Sequence, residues 1–96
     1  MSETLFNKIK TITELQGTSG YEEEIRSYMR RELTPLVDRV ETDGLGGIFG
    51  IRENTDTDAP RIMVAGHMDE IGFMVARINE NGLMNVVPLG GWNTYV

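Results

Sequence analysis

The spacing of apolar residues predicts an amphipathic helix at the start of the chain. Apolar side chains recur at steps of three and four between residues 4 and 16, and charged side chains lie between them. Gly17 is a suitable point for this helix to end. The sequence therefore begins with a helix that has one apolar face and one charged face.

A second helix is predicted to follow at once and to end near Pro35. Ser19 and Glu22 have the spacing of a capping box, in which each side chain satisfies a free backbone N–H group. Glu22 can also pair with Arg26 one turn later, as expected for a solvated helix face. The opposite face supplies the expected core residues, Ile25, Tyr28 or Met29, Leu33 and also Leu36.

Shorter apolar runs predict five strands in the remainder of the chain, at 37–42, 48–51, 61–65, 71–78 and 83–89. A glycine-rich turn joins the first two, and the Asn-Gly pair at 81–82 indicates a hairpin between the last two. Such strongly apolar strands need cover on both faces of a sheet. Two helices can cover only one face, so the pattern predicts an incomplete α/β fold, with two helices followed by a mixed sheet.

Candidate chemistry follows the third predicted strand, in the stretch from Gly66 to Glu70. His67 is the single histidine, and in an extended chain it shares a face with Asp69. Both side chains could bind a metal ion, or His67 could bind it while Asp69 accepts the second imidazole N–H. A third interpretation is a hydrogen-bonded surface pair that binds nothing. The position at the end of a strand favours a ligand site, although a catalytic zinc needs three protein ligands.

Composition narrows the function classes. The 96 residues include 15 acidic and nine basic side chains, for a formal charge of −6, and such a balance disfavours nucleic-acid binding. Cysteine is absent, which excludes disulfides, thiol catalysis and cysteine-ligated zinc. The N-terminus does not have the pattern of a signal peptide, and no apolar run has the length of a membrane span. These features predict a cytoplasmic protein that does not bind membranes.

Four stretches together resemble the N-terminal part of the M42 metallo-aminopeptidases, and among them most closely the glutamyl aminopeptidases. They are 18–22 (TSGYE), 42–47 (TDGLGG), 65–75 (AGHMDEIGFMV) and 89–92 (LGGW). Each stretch is a weak signal alone, but the four occur in the family's order and spacing. The resemblance covers essentially the whole chain.

The resemblance implies a fold and a place within it. Residues 1–96 would form the N-terminal segment of a catalytic domain with a zinc-peptidase-like α/β/α sandwich. The chain would end about where the family's inserted dimerisation domain begins. Family members often assemble from dimers into dodecamers, so the parent protein is expected to be a homo-oligomer.

The resemblance also implies an activity and a cofactor. Family members release N-terminal residues, here expected to be acidic, from short peptides, and use two divalent metal ions, usually zinc or cobalt. His67 matches a metal ligand of the family. Asp69 matches a catalytic residue of the family, the aspartate that orients this histidine. The remaining ligands and the general base lie further along a family chain. The 96 residues alone are therefore expected to be inactive, with weak or absent metal binding.

A different class of function stays open. The chain could be a non-catalytic module that binds a partner or associates with itself, with a purely structural His67–Asp69 pair. Uncovered strand edges and an uncovered apolar sheet face favour such association. Light scattering and metal analysis would separate this hypothesis from the enzymatic one.

Overall fold

The computed structural model describes residues 3–93, which form two α-helices, one 3₁₀ turn and four strands. The elements are α1 (Glu3–Glu14), α2 (Glu23–Leu33), the 3₁₀ turn (Thr34–Leu36), β1 (Arg39–Thr42), β2 (Ile48–Ile51), β3 (Gly72–Ile78) and β4 (Met84–Leu89). Both predicted helices and four of the five predicted strands are present, and the α/β class is confirmed. No helix within the described range is long and apolar enough to cross a membrane.

The four strands pair as two separate antiparallel hairpins. Strand β1 pairs with β2 and strand β3 pairs with β4. One isolated parallel bridge, between Thr18 and Glu70, joins the loop after α1 to the segment before β3. In the described part of the chain, two small sheets and this bridge therefore take the place of one continuous mixed sheet.

The strand predicted at 61–65 does not form. This segment has no assigned secondary structure, and the side chains of Ile62, Met63 and Val64 are 85, 82 and 95% exposed. A strand is stabilised by a hydrogen-bonded neighbour and by burial of its side chains. No described segment provides either, so the apolar run has no strand partner.

The buried core lies on one face of α2. Ile25 and Tyr28 are 3% and 7% exposed and are the buried hydrophobic side chains of the described residues. They are three positions apart, so they share a face of the helix. The sequence prediction was right for both, but Leu36 is 62% exposed because it lies in the 3₁₀ turn after the helix ends.

The start of α2 differs from the predicted capping box. The helix begins at Glu23, and its N-cap residue, Glu22, makes no side-chain capping bond. Instead the Glu22 carboxylate accepts a hydrogen bond from the Gly20 N–H at 2.7 Å. Ser19 lies outside the helix, and its own N–H donates to the Glu70 carbonyl. The predicted capping box therefore does not form, and the N–H that it would have paired with Glu22 bonds to Glu70.

Helix α2 holds the first hairpin through polar contacts at the β1–β2 turn. The Nε–H of Arg26 donates to the Gly46 carbonyl at 2.7 Å, and its guanidinium pairs with Glu22 as predicted. The Asp43 carboxylate accepts backbone N–H groups of Leu45 and Gly47 within the turn. These contacts join α2, β1 and β2 into one packed unit.

The second hairpin is closed at one end by its turn and at the other by Trp92. In the turn, Gly82 has a φ of 82° and donates its N–H to the Asn79 carbonyl at 2.9 Å. The indole N–H of Trp92 lies 3.0 and 3.1 Å from the carbonyl oxygens of Gly72 and Leu89. Its ring stacks on Phe73 with centroids 4.3 Å apart. The hairpin thus has its own local closure.

The molecule as a whole is elongated. Its radius of gyration is 18.2 Å and its longest extent is 65 Å. A compact domain of this length would have a radius of gyration of about 12.5 Å. The helical unit and the β3–β4 hairpin therefore share little packed interface, and the His67 segment lies between them in sequence.

Candidate active site

His67 and Asp69 lie just before β3, in a segment without assigned secondary structure. The His67 side chain is 86% exposed and that of Asp69 is 38% exposed. Nδ1 of His67 lies 2.9 Å from the Asp69 backbone oxygen and 3.1 Å from its Oδ1. The structure thus brings together the two site residues that the sequence predicted.

The surroundings of Nδ1 determine where the proton of the neutral imidazole lies. Both atoms within hydrogen-bond distance of Nδ1 are oxygens of Asp69 that can only accept, when the carboxyl group is ionised. Nδ1 must then be the donor, and the lone pair is left on Nε2. This geometry corresponds to the arrangement in which Asp69 orients a histidine whose Nε2 is available as a ligand.

Glu70 lies beside this pair and contacts the loop between the two helices. Its N–H donates to the Gly17 carbonyl at 2.7 Å, and its carbonyl accepts from the Ser19 N–H at 3.2 Å. Its Oε1 lies 3.4 Å from the Gly17 nitrogen. The sequence did not predict these contacts, because no local pattern signals a pairing across 53 residues.

A cleft of about 410 Å³ adjoins His67 and Asp69. Helices α1 and α2 contribute apolar side chains to its wall, among them Ile12, Ile25 and Met29. Met68 lines the cleft as well. The candidate ligand therefore lies at the edge of an apolar surface that the helices provide.

The donor set of the described residues fits one corner of a metal site. An imidazole with a free Nε2 and an oriented Nδ1–H is a common zinc ligand. Within residues 3–93, no three histidine, cysteine, aspartate or glutamate side chains converge on one point. Since a catalytic zinc takes three protein ligands and a water molecule, these residues supply part of such a site.

Comparison with known proteins gives this site a context. The family model described as M42 glutamyl aminopeptidase matches residues 46–96. Glutamyl aminopeptidase of Lactococcus lactis subsp. cremoris is 52% identical over 92 residues, which are 96% of this chain and 26% of that protein. Lysyl aminopeptidase of Pyrococcus furiosus is 42% identical over 84 residues, which are 86% of this chain and 23% of that protein.

A solved structure supports the same relationship. The crystal structure of a TET aminopeptidase from the Thaumarchaeota archaeon SCGC AB-539-E09 superposes with a TM-score of 0.83 at 36% identity. The match covers 95% of this chain and 25% of that one. The chain thus spans about a quarter of the length of the relatives it matches. The family model covers more than half of these 96 residues, and the chain belongs to the M42 peptidase family.

Proposed function

We propose that these residues provide the first metal-binding corner of a cytoplasmic, metal-dependent aminopeptidase. Its reaction is the release of N-terminal residues, glutamate and aspartate in particular, from short peptides. The observation that carries the proposal is the His67–Asp69 geometry, in which Nδ1 is held and Nε2 is left as a ligand. Membership of a peptidase family gives that geometry its chemical meaning.

In this proposal the two side chains have different roles. His67 binds one of two divalent ions, zinc or cobalt, through Nε2, and Asp69 holds the ring by accepting its Nδ1–H. A bound divalent ion lowers the pKa of a coordinated water molecule and polarises the peptide carbonyl. Asp69 contributes by keeping the ligand in one tautomer and one orientation, which typically changes metal affinity or activity about 10–100-fold.

The proposal also predicts what the 96 residues do alone. A catalytic zinc ion takes three protein ligands, and one histidine supplies a single ligand. The isolated chain should therefore bind zinc weakly and should not hydrolyse a glutamyl anilide. Measurable turnover by the purified chain would contradict this. So would a tight one-to-one zinc titration that is lost in His67→Ala, unless several chains combine their ligands.

A chimera tests the active role directly. Residues of this chain replace the matching 92-residue segment of the Lactococcus lactis glutamyl aminopeptidase, to which they are 52% identical. The chimera should hydrolyse glutamyl anilide with zinc or cobalt present. His67→Ala should abolish this activity, and Asp69→Asn should reduce it about 10–100-fold.

The control for the chimera is Glu80→Ala, which changes an exposed carboxylate in the β3–β4 turn and should leave the activity unchanged. Lysyl anilide, hydrolysed in parallel, measures the preference for acidic residues. A folded chimera whose activity survives His67→Ala would overturn the proposed role of His67. Equal turnover of both anilides would overturn the acidic preference.

A second candidate function is association with further copies, which is favoured by the exposed apolar segment at 62–64. One form of this candidate keeps the enzyme: residues 1–96 are then the segment of a catalytic domain that precedes an inserted dimerisation domain, and the parent protein is an oligomer built from dimers. In the other form the chain is a non-catalytic module, and the His67–Asp69 pair is structural. Sedimentation of the wild-type chain and of Val64→Lys tests association, and a clean monomer for both would argue against it.

A further inference from the structure

The peptide group between Asp69 and Glu70 carries two hydrogen bonds at once. Its oxygen lies 2.9 Å from His67 Nδ1, and its N–H donates to the Gly17 carbonyl at 2.7 Å. We propose that Gly17 and Glu70 are positioning residues, which hold this peptide group and through it the His67 imidazole. The inference rests on the proposed role of His67 as a metal ligand.

Glu70 contacts Gly17 a second time through its side chain. Its Oε1 lies 3.4 Å from the Gly17 nitrogen, so both polar backbone groups of Gly17 are directed at one residue. The Glu70 carbonyl accepts from the Ser19 N–H as well. Three hydrogen bonds therefore fix the position and the tilt of Glu70, whereas a single bond would leave the peptide plane free to rotate.

Gly17 lies close to its neighbours, and a side chain there would require them to shift by a few tenths of an ångström. A Cβ atom at this position would lie 3.2 Å from the Met68 carbonyl oxygen and 3.2 Å from Cγ2 of Ile25. Ile25 is 3% exposed and belongs to the core of α2. Gly17 is thus placed beside the core of α2 and is hydrogen-bonded to the 69–70 peptide group, which in turn lies within hydrogen-bond distance of the imidazole.

This link matters because the imidazole has little packing of its own. The His67 side chain is 86% exposed, so hydrogen bonds at Nδ1 supply most of its orientation. Metal sites need their ligands held within about 0.5 Å of the productive geometry. Neighbouring hydrogen bonds also polarise one another, so the bond to Gly17 strengthens the carbonyl as an acceptor for the ring.

The chain is suited to a spectroscopic test, because His67 is its only histidine. Ring ¹⁵N chemical shifts of the labelled 96-residue chain report which nitrogen carries the proton. All spectra are recorded in one and the same buffer, so that they compare the tautomers directly. The variants are Glu70→Ala, Glu70→Gln, Gly17→Ala and Asp69→Ala, with Glu80→Ala as the exposed control.

The wild-type ring should carry its proton mainly on Nδ1. Glu70→Ala and Gly17→Ala should move the tautomer ratio toward Nε2–H by about threefold to fivefold, the equivalent of one net hydrogen bond. Glu70→Gln should restore the wild-type ratio, because an amide oxygen still accepts from the Gly17 N–H. Glu80→Ala should have no effect.

The outcomes separate this inference from the proposed function. If Asp69→Ala shifts the ratio but Glu70→Ala and Gly17→Ala do not, Asp69 keeps its role and the positioning role is overturned. If Asp69→Ala does not shift it either, the proposed role of Asp69 fails as well. Amide exchange of wild-type Glu70 gives a test without any variant: a slow N–H supports the bond to Gly17, and an unprotected one overturns it.

Discussion

The helical half of the molecule (residues 3–53) and the β3–β4 hairpin place their apolar side chains in different ways. In residues 3–53, α2 buries Ile25 and Tyr28 and bonds to the β1–β2 turn through Arg26. In the hairpin, Phe73 and Met74 occupy opposite faces of β3 and remain 54% and 44% exposed. Local pairing is therefore enough to form the hairpin backbone, but among residues 3–93 the buried hydrophobic side chains lie in the helical half.

This contrast bears on the candidate site, because the site lies between the two halves. The Asp69–Glu70 peptide group bonds to Gly17, and a Cβ atom at Gly17 would lie 3.2 Å from the Ile25 side chain. The proposed positioning of His67 therefore depends mainly on the helical half. The hairpin follows directly in sequence, and Trp92 closes its open end through a hydrogen bond to the Gly72 carbonyl.

The largest effect is expected from Ile25→Ala. Removal of this 3% exposed side chain should cost about 2–5 kcal/mol, since it leaves a cavity in the core. Helical circular dichroism followed in urea measures the change. Ile78→Ala, at a position 66% exposed in the hairpin, is the matched control and should stay within about 0.5 kcal/mol. Equal losses from both variants would break the distinction between the halves.

A smaller effect, confined to the hairpin, is expected from Trp92→Ala. The change removes the stacking on Phe73 and the indole hydrogen bonds, worth about 1–2 kcal/mol together. Amide exchange should become faster in β3 and β4 while α2 is unaffected. Trp92→Phe keeps a stacking ring and should lose less. An equal loss in both variants would assign the stability to the hydrogen bonds alone.

A comparable or slightly smaller effect is expected from Gly82→Ala in the hairpin turn. Gly82 has a φ of 82°, and an alanine in that region costs about 1 kcal/mol. Gly91→Ala is the control, because Gly91 does not have a positive φ and a Cβ there would meet nothing within 4 Å. Exchange rates of the β3–β4 amides measure both. A loss from Gly91→Ala as large as that from Gly82→Ala would rule out turn strain as the cause.

The smallest effect is expected at the Lys8–Glu32 pair, which joins α1 to α2 at 2.8 Å. The hydrogen bond between them lowers the pKa of Glu32 below its ordinary 4.5 and raises the pKa of Lys8 above its ordinary 10.5. The contribution of Glu32 is therefore present above pH 4.5 and disappears as pH falls through its lowered pKa. That of Lys8 is present below pH 10.5 and disappears as pH rises through its raised pKa.

Double-mutant cycles at several pH values measure this pair. Coupling should be constant between about pH 5 and 10, decrease at both extremes, and weaken with added salt because the side chains are exposed. The Lys10–Glu14 pair, at 4.0 Å within α1, is the control and should couple less. A coupling that changes neither with added salt nor at the lowest and highest pH measured would show that charge pairing does not join the helices.

The sequence predicted what depends on local pattern. The helices and both hairpins follow from periodicity and turn residues, and the His67–Asp69 pair follows from spacing in an extended chain. The prediction of a strand at 61–65 was wrong, because a strand also needs a hydrogen-bonded neighbour, which no local pattern guarantees. The Ser19 cap was wrong for a related reason: its N–H is taken by Glu70, which lies 51 positions away. Long-range backbone pairing is thus what the sequence could not reveal.

The exposed run at 62–65 has a consequence for the behaviour of the chain in concentrated solution. An uncharged apolar segment with free N–H and C=O groups is a template on which an identical segment can add as a strand. Arg61 precedes this run, and His67 and Asp69 follow it within four positions. Charged and polar residues in such flanking places act as gatekeepers against aggregation. Asp69 is therefore one of these flanking residues and also lies within hydrogen-bond distance of the His67 ring.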